Sequence, residues 1–487
     1  MGEAMKILVL ISSVKDPGSQ DFKASHRGLA PFLNRSCLFA FLLSLTLLLG
    51  CGGRSTGTMP PPSGSNEGTS KGGNGGSANN VLVNLGAFAT VPGQIVSFEI
   101  TIESVALHSS QGDVSLLSTP RRVELSRLKA EPLLLANVPQ GKYSGVGIGL
   151  SNPEISFIDS SGVLHEDVAA SLTSPSATNL TEFSIGSTPR AIDLHLGFFR
   201  VSFDGGVVAM TPELNFNTQG GTPIKDLVGR IATVGNSSFT IDVGNGTFTL
   251  ATDASTEFQG VPALNKLAAG TTVEVDAVLD SGRTFRATKV KLENNIPSAR
   301  MVEGLTLSTS PAQLQMLVRE VHGPVEGSLP GVGKVLTVAA NASTQFRLEP
   351  DDIDLSHLNF APRFDALTIV KGQNVRAAAV NGSATTITAD QLKLEKQSFS
   401  GTAGTVTSGS VSGQYTFPVN LAADSAFAQL TGHTSVLVTL QPSTQKFLYL
   451  GLEDCVTCIT GGTVFVRGLL FFSGGQYHLV AEWLVVG

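Results

Sequence analysis

Cys455 and Cys458 are residues whose type and spacing could do chemistry. A Cys-x-x-Cys pair can be a redox dithiol, half of a zinc site or a local disulfide. A redox dithiol needs its first cysteine at a helix N-terminus, where the dipole lowers the thiol pKa, and no helical period follows Cys458. Zinc needs two further ligands, and the sequence has no second cysteine pair beyond the leader. The pair lies in Glu453–Gly462, between two strand-like runs, so the expectation is a structural disulfide that clips a loop.

Other fragments approach a motif and fail on spacing. Pro330-Gly-Val-Gly-Lys334 imitates the end of a phosphate-binding loop, but Ser328 stands where the leading glycine belongs and Val335 where the hydroxyl belongs. Gly145-Val-Gly-Ile-Gly149 is followed by no helix and reads as a strand whose small residues permit close packing. Asp351-Asp352-Ile-Asp354 lacks the glycine and glutamate of a calcium loop and reads as a solvated loop. The histidines are scattered over separate strands and loops, and neither His-Glu-x-x-His nor Gly-x-Ser-x-Gly occurs. His195, in Asp193–Gly197, alternates with apolar neighbours and reads as a half-exposed sheet residue, not a general base. Nothing in these patterns calls for a metal or a cofactor.

The remaining cysteines lie near the N-terminus. Cys37 to Leu49 is an apolar run preceded by His26, Arg27 and Arg35, the order of a signal peptide, and it falls short of the roughly 20 residues that a helix needs to span a bilayer. Leu48-Leu49-Gly50-Cys51 resembles the bacterial lipobox. The resemblance implies that signal peptidase recognises Leu48, Leu49 and Gly50 and cuts after Gly50. It also implies that Cys51 Sγ carries a diacylglyceryl group and the new amine a further acyl chain, a stable anchor. The alternative is an ordinary signal peptide that ends beside a buried cysteine. Gly52 in place of aspartate favours the outer membrane by the sorting rule of Gram-negative lipoproteins. Met1 to Pro31 stand ahead of Arg35 and the apolar run, so either the true start lies downstream or the leader is long. Residues 1–50 are expected to be removed. Residues 51–80 are expected to be a lipidated cysteine and a disordered Gly/Ser-rich tether reaching on the order of 30 Å.

Composition bounds the rest. Only 15% of residues are charged, against about 25% in ordinary domains, with 53 glycines and 26 phenylalanines, a β-rich profile. The net charge of −7 and the lack of any basic run longer than Arg121-Arg122 exclude an electrostatic footprint for nucleic acid.

The elements that follow the tether read as strands. Val81–Leu85, Val96–Val105 and Arg122–Leu125 alternate apolar and polar residues, and Val138–Tyr143 is a turn into Val146–Leu150. Residues 81–220 are expected to form a β-sandwich. The run Ile102–His108 and Pro139-Gln-Gly-Lys-Tyr143 resemble a prealbumin-like β-sandwich domain of uncharacterised bacterial lipoproteins, although Gly86-Ala87-Phe88 replaces the acidic first turn of that family. Beyond it lies an internal repeat. Gly229-Arg-Ile, Asp253-Ala-Ser-Thr-Glu-Phe258, Gly270–Val275 and Phe285–Glu293 are echoed by Val302-Glu-Gly304, Asn341-Ala-Ser-Thr-Gln-Phe346, Lys371–Val375 and Ile387–Glu395. A looser third copy runs from Phe399-Ser-Gly401 through Ala423–Phe427 and Ser435–Val438 to Leu479–Val485. The copies resemble a family of tandem OB-like barrels in exported bacterial proteins, itself without established activity. The expected fold is therefore all-β: a β-sandwich followed by two or three small OB-like β-barrels, at 226–295, at 300–397 with an insertion, and at 398–487.

The expected function is a non-catalytic cell-envelope lipoprotein, held to a membrane through its lipid anchor and acting as a structural or protein-interaction module. A binding protein for glycan or another envelope polymer is the alternative, and an uncharacterised hydrolase the third reading. Glycan binding would rest on Tyr143, Tyr415, Tyr449, Tyr477 or Trp483, since phenylalanine at alternating strand positions fills cores.

Overall fold

The computed structural model describes residues 78–486 apart from 87–93, 127–130, 188–189, 203–207, 219–223, 245, 280–284, 295–298, 311, 323–330 and 449–458. Leu48, Leu49, Gly50 and Cys51, and also Cys455 and Cys458, lie outside the described residues. The fold is all-β, and the α-helix among the described residues is the short Ala426–Thr431.

In the N-terminal lobe a ten-stranded sheet folds over on itself. Leu164–Leu172 is the turning point, antiparallel to Gly145–Ile158 on one side and parallel to Val208–Asn217 on the other. Alternation explains the packing. In Ile95–His108 the side chains of Phe98, Ile100 and Ile102 are fully buried while Glu99 and Thr101 point outward. A register shift between Ile102 and Ser104 then returns Val105 and Leu107 to the same core, where an unbroken alternation would have exposed them. Both halves of the sheet close on one cluster that includes Val81, Val83, Ile148 and Leu194, which makes the lobe a sandwich.

Three barrels follow, at 224–294, 300–394 and 396–486. In the first, Thr247–Ala251, Ser238–Asp242, Ile224–Val234, Thr272–Leu279 and Phe285–Asn294 pair in that order, and Ala251 opposite Arg286 closes the ring. The third closes in the same way through Thr402 opposite Asn420. In the second the closing strand is divided into Thr386–Thr388 and Gln391–Leu394, and the two residues between them bridge both flanks: Ala389 N donates to Ala339 O and Asp390 N to Ala378 O, each at 2.8 Å. Gly229, Gly304 and Gly401 occupy one position in the three barrels. A Cβ there would lie 2.9, 2.2 and 2.3 Å from a neighbouring strand's carbonyl oxygen, so only glycine permits the approach.

A threonine staple recurs in each barrel. Thr256, Thr344 and Thr444 accept from the backbone N–H three residues back and donate to the closing strand at Ala287, Ala389 and Ala481. The third barrel's counterpart of the Ser-Thr-x-Phe turn is thus Ser443-Thr444. Ala423–Phe427 instead leads into the helix, with Ser425 as N-cap and Gly432 as C-cap. Ser435–Val438 is likewise not the Gly-x-x-Val strand, whose place Thr463–Ser473 takes beside Lys396–Ala403. Thr344→Val preserves shape but takes the buried Ala389 carbonyl's donor and the partner of the part-buried Asn341 N–H. The expected loss is about 1–3 kcal/mol in chemical denaturation.

The lobes share cores. Leu82 and Ala191 of the sandwich join the cluster of the first barrel. Val96 and Ile158 meet Leu305 and Leu317 of the second and Ala426 of the third. Leu469, Phe471 and Val480 of the third barrel complete the core of the second. All described residues fall in one compact unit.

Candidate functional site: a buried ion-pair junction

Where the barrels meet, charged residues are sealed from solvent. Strand alternation builds the site: Val273 and Val275 point into the first barrel, and Glu274 between them points out. Lys291 is its cross-strand partner. In the second barrel Arg376 and Lys393 stand at the same two positions, because Gly229 pairs with Val273 as Gly304 pairs with Val375. The repeats therefore pack equivalent faces together, and the change from glutamate to arginine makes those faces complementary.

Arg376, with a side chain 4% exposed, is the centre. Its Nη1 lies 3.4 Å from Glu274, 3.2 Å from Glu293 and 3.1 Å from Glu395, and its Nη2 donates to Glu303 at 3.1 Å. Asn374 Nδ2 donates to the other oxygen of Glu303 at 2.7 Å. Lys393 Nζ donates to Glu293 at 2.9 Å and to Glu274 at 3.3 Å. Burial alone would drive protons off Arg376 and Lys393, but the carboxylates around them, Glu274 and Glu293 at both and Glu303 at Arg376, hold both well above their ordinary values. The third barrel enters beside them. Lys396 donates to Glu482 at 2.7 Å and to Asp226 at 3.3 Å, and Arg467 Nη1 bridges the same two carboxylates at 3.0 Å each.

Asp226, Glu274 and Asp351 bring carboxylate oxygens within 4.8 Å of one another, a spacing suited to a cation. The structure gives that role to ammonium groups. Lys291 lies 2.8 Å from Asp351 and 3.7 Å from Glu274, and Lys396 lies 3.3 Å from Asp226 and 3.6 Å from Asp351. This corrects the expectation of a solvated loop at Asp351, while Asp352 and Asp354 are exposed as expected. Asp351 is an ion-pair partner with a side chain only 9% exposed, because the insertion of the second barrel folds over the first.

Other singled-out residues also find structural partners. Lys334 of the glycine-rich fragment pairs with Asp167 at 2.6 Å, Gly333 O accepts from Ser156 Oγ, and Val335 N donates to Glu166, so the fragment clips the second barrel to the sandwich. In Gly145–Gly149 a Cβ on Gly145 would lie 2.4 Å from Asn179 O and one on Gly147 2.7 Å from His108 Nε2, the close packing expected of that strand. His195 lies on Arg190–Ser202 at intermediate exposure; burial lowers its pKa, against the opposing charge of Asp193. Tyr143 and Tyr477 are buried and donate to Pro139 O and Lys371 O, while Tyr415 and Trp483 are half-buried. Tyr449 lies outside the described residues.

The junction itself was not foreseen from sequence. A signal lies in the repeat: Lys291-Leu-Glu293 and Lys393-Leu-Glu395 are the same, while the residue opposite the shared lysine reverses sign, Glu274 against Arg376.

A sandwich lobe and three barrels sharing cores and a buried ion network define an all-β, multi-lobed protein. Residues 228–291, the greater part of the first barrel, match the family described as a domain of unknown function (DUF5666). No curated protein matches the chain.

Proposed function

We propose that the chain is a non-catalytic cell-envelope lipoprotein, anchored through Cys51, that presents a rigid block of a sandwich and three barrels as a structural or protein-interaction module. The observation that carries this reading is the engagement of its chemistry-bearing groups by one another. Glu274, Glu293, Arg376 and Lys393 are neutralised across a sealed interface, Lys334 and Gly333 clip two lobes together, and Asp351 holds lysines. Such a network costs desolvation and returns a fixed relative placement of its lobes, the property that a spacer or scaffold needs. The lipobox at Leu48–Cys51 supports placement at a membrane, with the outer membrane favoured by Gly52.

Affinity capture of the tagged full chain from detergent-solubilised envelopes tests the reading, with a stoichiometric envelope protein as the expected result. Retention on a glycan array that is lost in Trp483→Ala would replace it with the polymer-binding alternative. Turnover of an ester, peptide or glycoside panel by the purified chain would sink the non-catalytic reading.

The clip between the sandwich and the second barrel gives a further prediction. Lys334→Ala removes a half-exposed pair, so global stability is expected to change by less than about 1 kcal/mol. Proteolytic cleavage near residue 334 is nevertheless expected to quicken, because of the bonds described between the fragment and the sandwich only those to Ser156 and Glu166 then remain. Unchanged cleavage would show that those two bonds suffice.

A further inference from the structure

Around Arg376 and Lys393 acids outnumber bases. Glu274, Glu293 and Glu395 approach both cations within 3.4 Å, Glu303 reaches Arg376, and Glu349 reaches Lys393. Lys291, which also lies 3.7 Å from Glu274 and 3.6 Å from Glu293, is shared with Glu349 at 2.7 Å and Asp351 at 2.8 Å. Hydrogen bonding at Arg376 sharpens the imbalance. A guanidinium Nη carries two hydrogens, and three carboxyl groups crowd Nη1. Glu274 and Glu293 accept from it, whereas Glu395 Oε1, only 3.1 Å away and buried, receives no hydrogen bond. An ionised carboxylate cannot leave a buried oxygen without a donor cheaply, whereas a neutral carboxyl brings its own hydrogen and can donate to an adjacent carboxylate.

We propose that Glu395 folds as the neutral acid, that its proton holds the first and second barrels together, and that alkaline solution releases the proton and loosens that junction. The groups facing Glu395 come from both barrels: Arg376, Lys393 and Glu303 from the second, Glu274 from the first. Burial pushes its carboxyl up to about 8 against the pull of Arg376 and Lys393, and Glu303 and Glu274 push the same way. Glu274 goes the opposite way. Burial would raise it, yet Lys393, Arg376 and Lys291 outweigh both burial and Asp226 and hold it at about 2. One carboxyl of the junction is thus kept as acid and another as base.

The sign follows from linkage. A group raised from 4.5 to about 8 gives its full stabilisation below 4.5 and loses it as pH rises through 8. Denaturation of the full chain in urea at intervals from pH 6 to 9.5, alongside Glu395→Gln, is the test. From this group the folded-to-unfolded ratio falls about tenfold per pH unit up to about 8. The glutamine variant removes that slope and is the more stable of the two at pH 9. Equal slopes in both proteins, or a variant less stable throughout, would overturn the proposal. If the variant does not fold, amide exchange of the wild type, corrected for its intrinsic pH dependence, decides. Faster exchange at Asn374–Ala379 above pH 8, with the sandwich strand Ile95–His108 unchanged, supports the latch, and uniform protection refutes it.

Discussion

Arg376→Met is expected to destabilise the chain by about 3–5 kcal/mol, the range for removing one partner of a buried ion pair. The loss comes less from the missing attraction than from what remains: Glu274, Glu293, Glu303 and Glu395 keep their burial and lose the cation that they share. Lys393 still reaches three of them, but Glu303 keeps only Asn374 of the bonds described for its two oxygens in the junction. Urea denaturation followed at once by circular dichroism and by the fluorescence of Trp483 measures the loss. Trp483 lies in the third barrel, so unfolding of the first barrel ahead of the rest would separate the two signals. A second substitution tests the cause. Adding Glu293→Gln to Arg376→Met removes a stranded charge and is expected to restore part of the stability. If the double variant shows the simple sum of two losses, stranded charge is not the reason. The acid limb should move as well. Glu274 is held at about 2, so its contribution is complete above 4.5 and disappears as pH falls through about 2. Without Arg376 it has one cation fewer, its carboxyl titrates at higher pH, and acid unfolding begins earlier.

Much of this fold is visible in the sequence because strand period and turn chemistry act locally. Phe98, Ile100 and Ile102 announce a half-buried strand by alternation alone. The first two barrels announce themselves through Gly229 and Gly304 and through the staples at Thr256 and Thr344, positions where sterics or a buried hydroxyl leave little choice. The third barrel is harder to read because its staple at Thr444 lies within the single strand Ser435–Leu448, at a register shift between Leu440 and Gln445 where the other barrels have a turn between two strands, and because a helix intervenes before that strand. The junction is harder still. Outward charges at alternating positions satisfy water and a complementary protein face equally well, so Lys291 and Glu293 look like a solvated edge until the partner strand is in place. The same ambiguity misplaced Asp351. Its ionic neighbours Lys289, Lys291 and Lys396 are distant in sequence, and no local pattern encodes a contact made by folding an insertion across another barrel.

If the proposed anchor is right, Cys51→Ser is expected to move the protein from the membrane fraction to the soluble fraction or to trap it as an uncut precursor, since both outcomes follow from losing the thiol of the lipobox-like Leu48–Cys51. The effect should be close to all-or-none. Each buried methylene of an acyl chain contributes about 0.8 kcal/mol, so removing two or more chains abolishes partitioning, whereas a single remaining chain would bind only marginally. Detergent phase separation and intact mass of the mature protein measure it, with the wild type expected to begin at Cys51 and to carry both a thioether diacylglyceryl group and an amide-linked chain. A wild-type N-terminus at another residue, or an unmodified Cys51, would remove the anchor from the proposal while leaving the barrel block intact. That separation gives the experiment its value. The ion junction ties the lobes to one another, and in the proposed function Cys51 is what would hold that block at a membrane. A chain that keeps Arg376 and loses Cys51 should therefore fold with unchanged urea stability and fail only in location, whereas Arg376→Met should reach the membrane and fail in stability. Finding both defects in either variant would mean that anchoring and folding are coupled, contrary to the proposal that the two are independent.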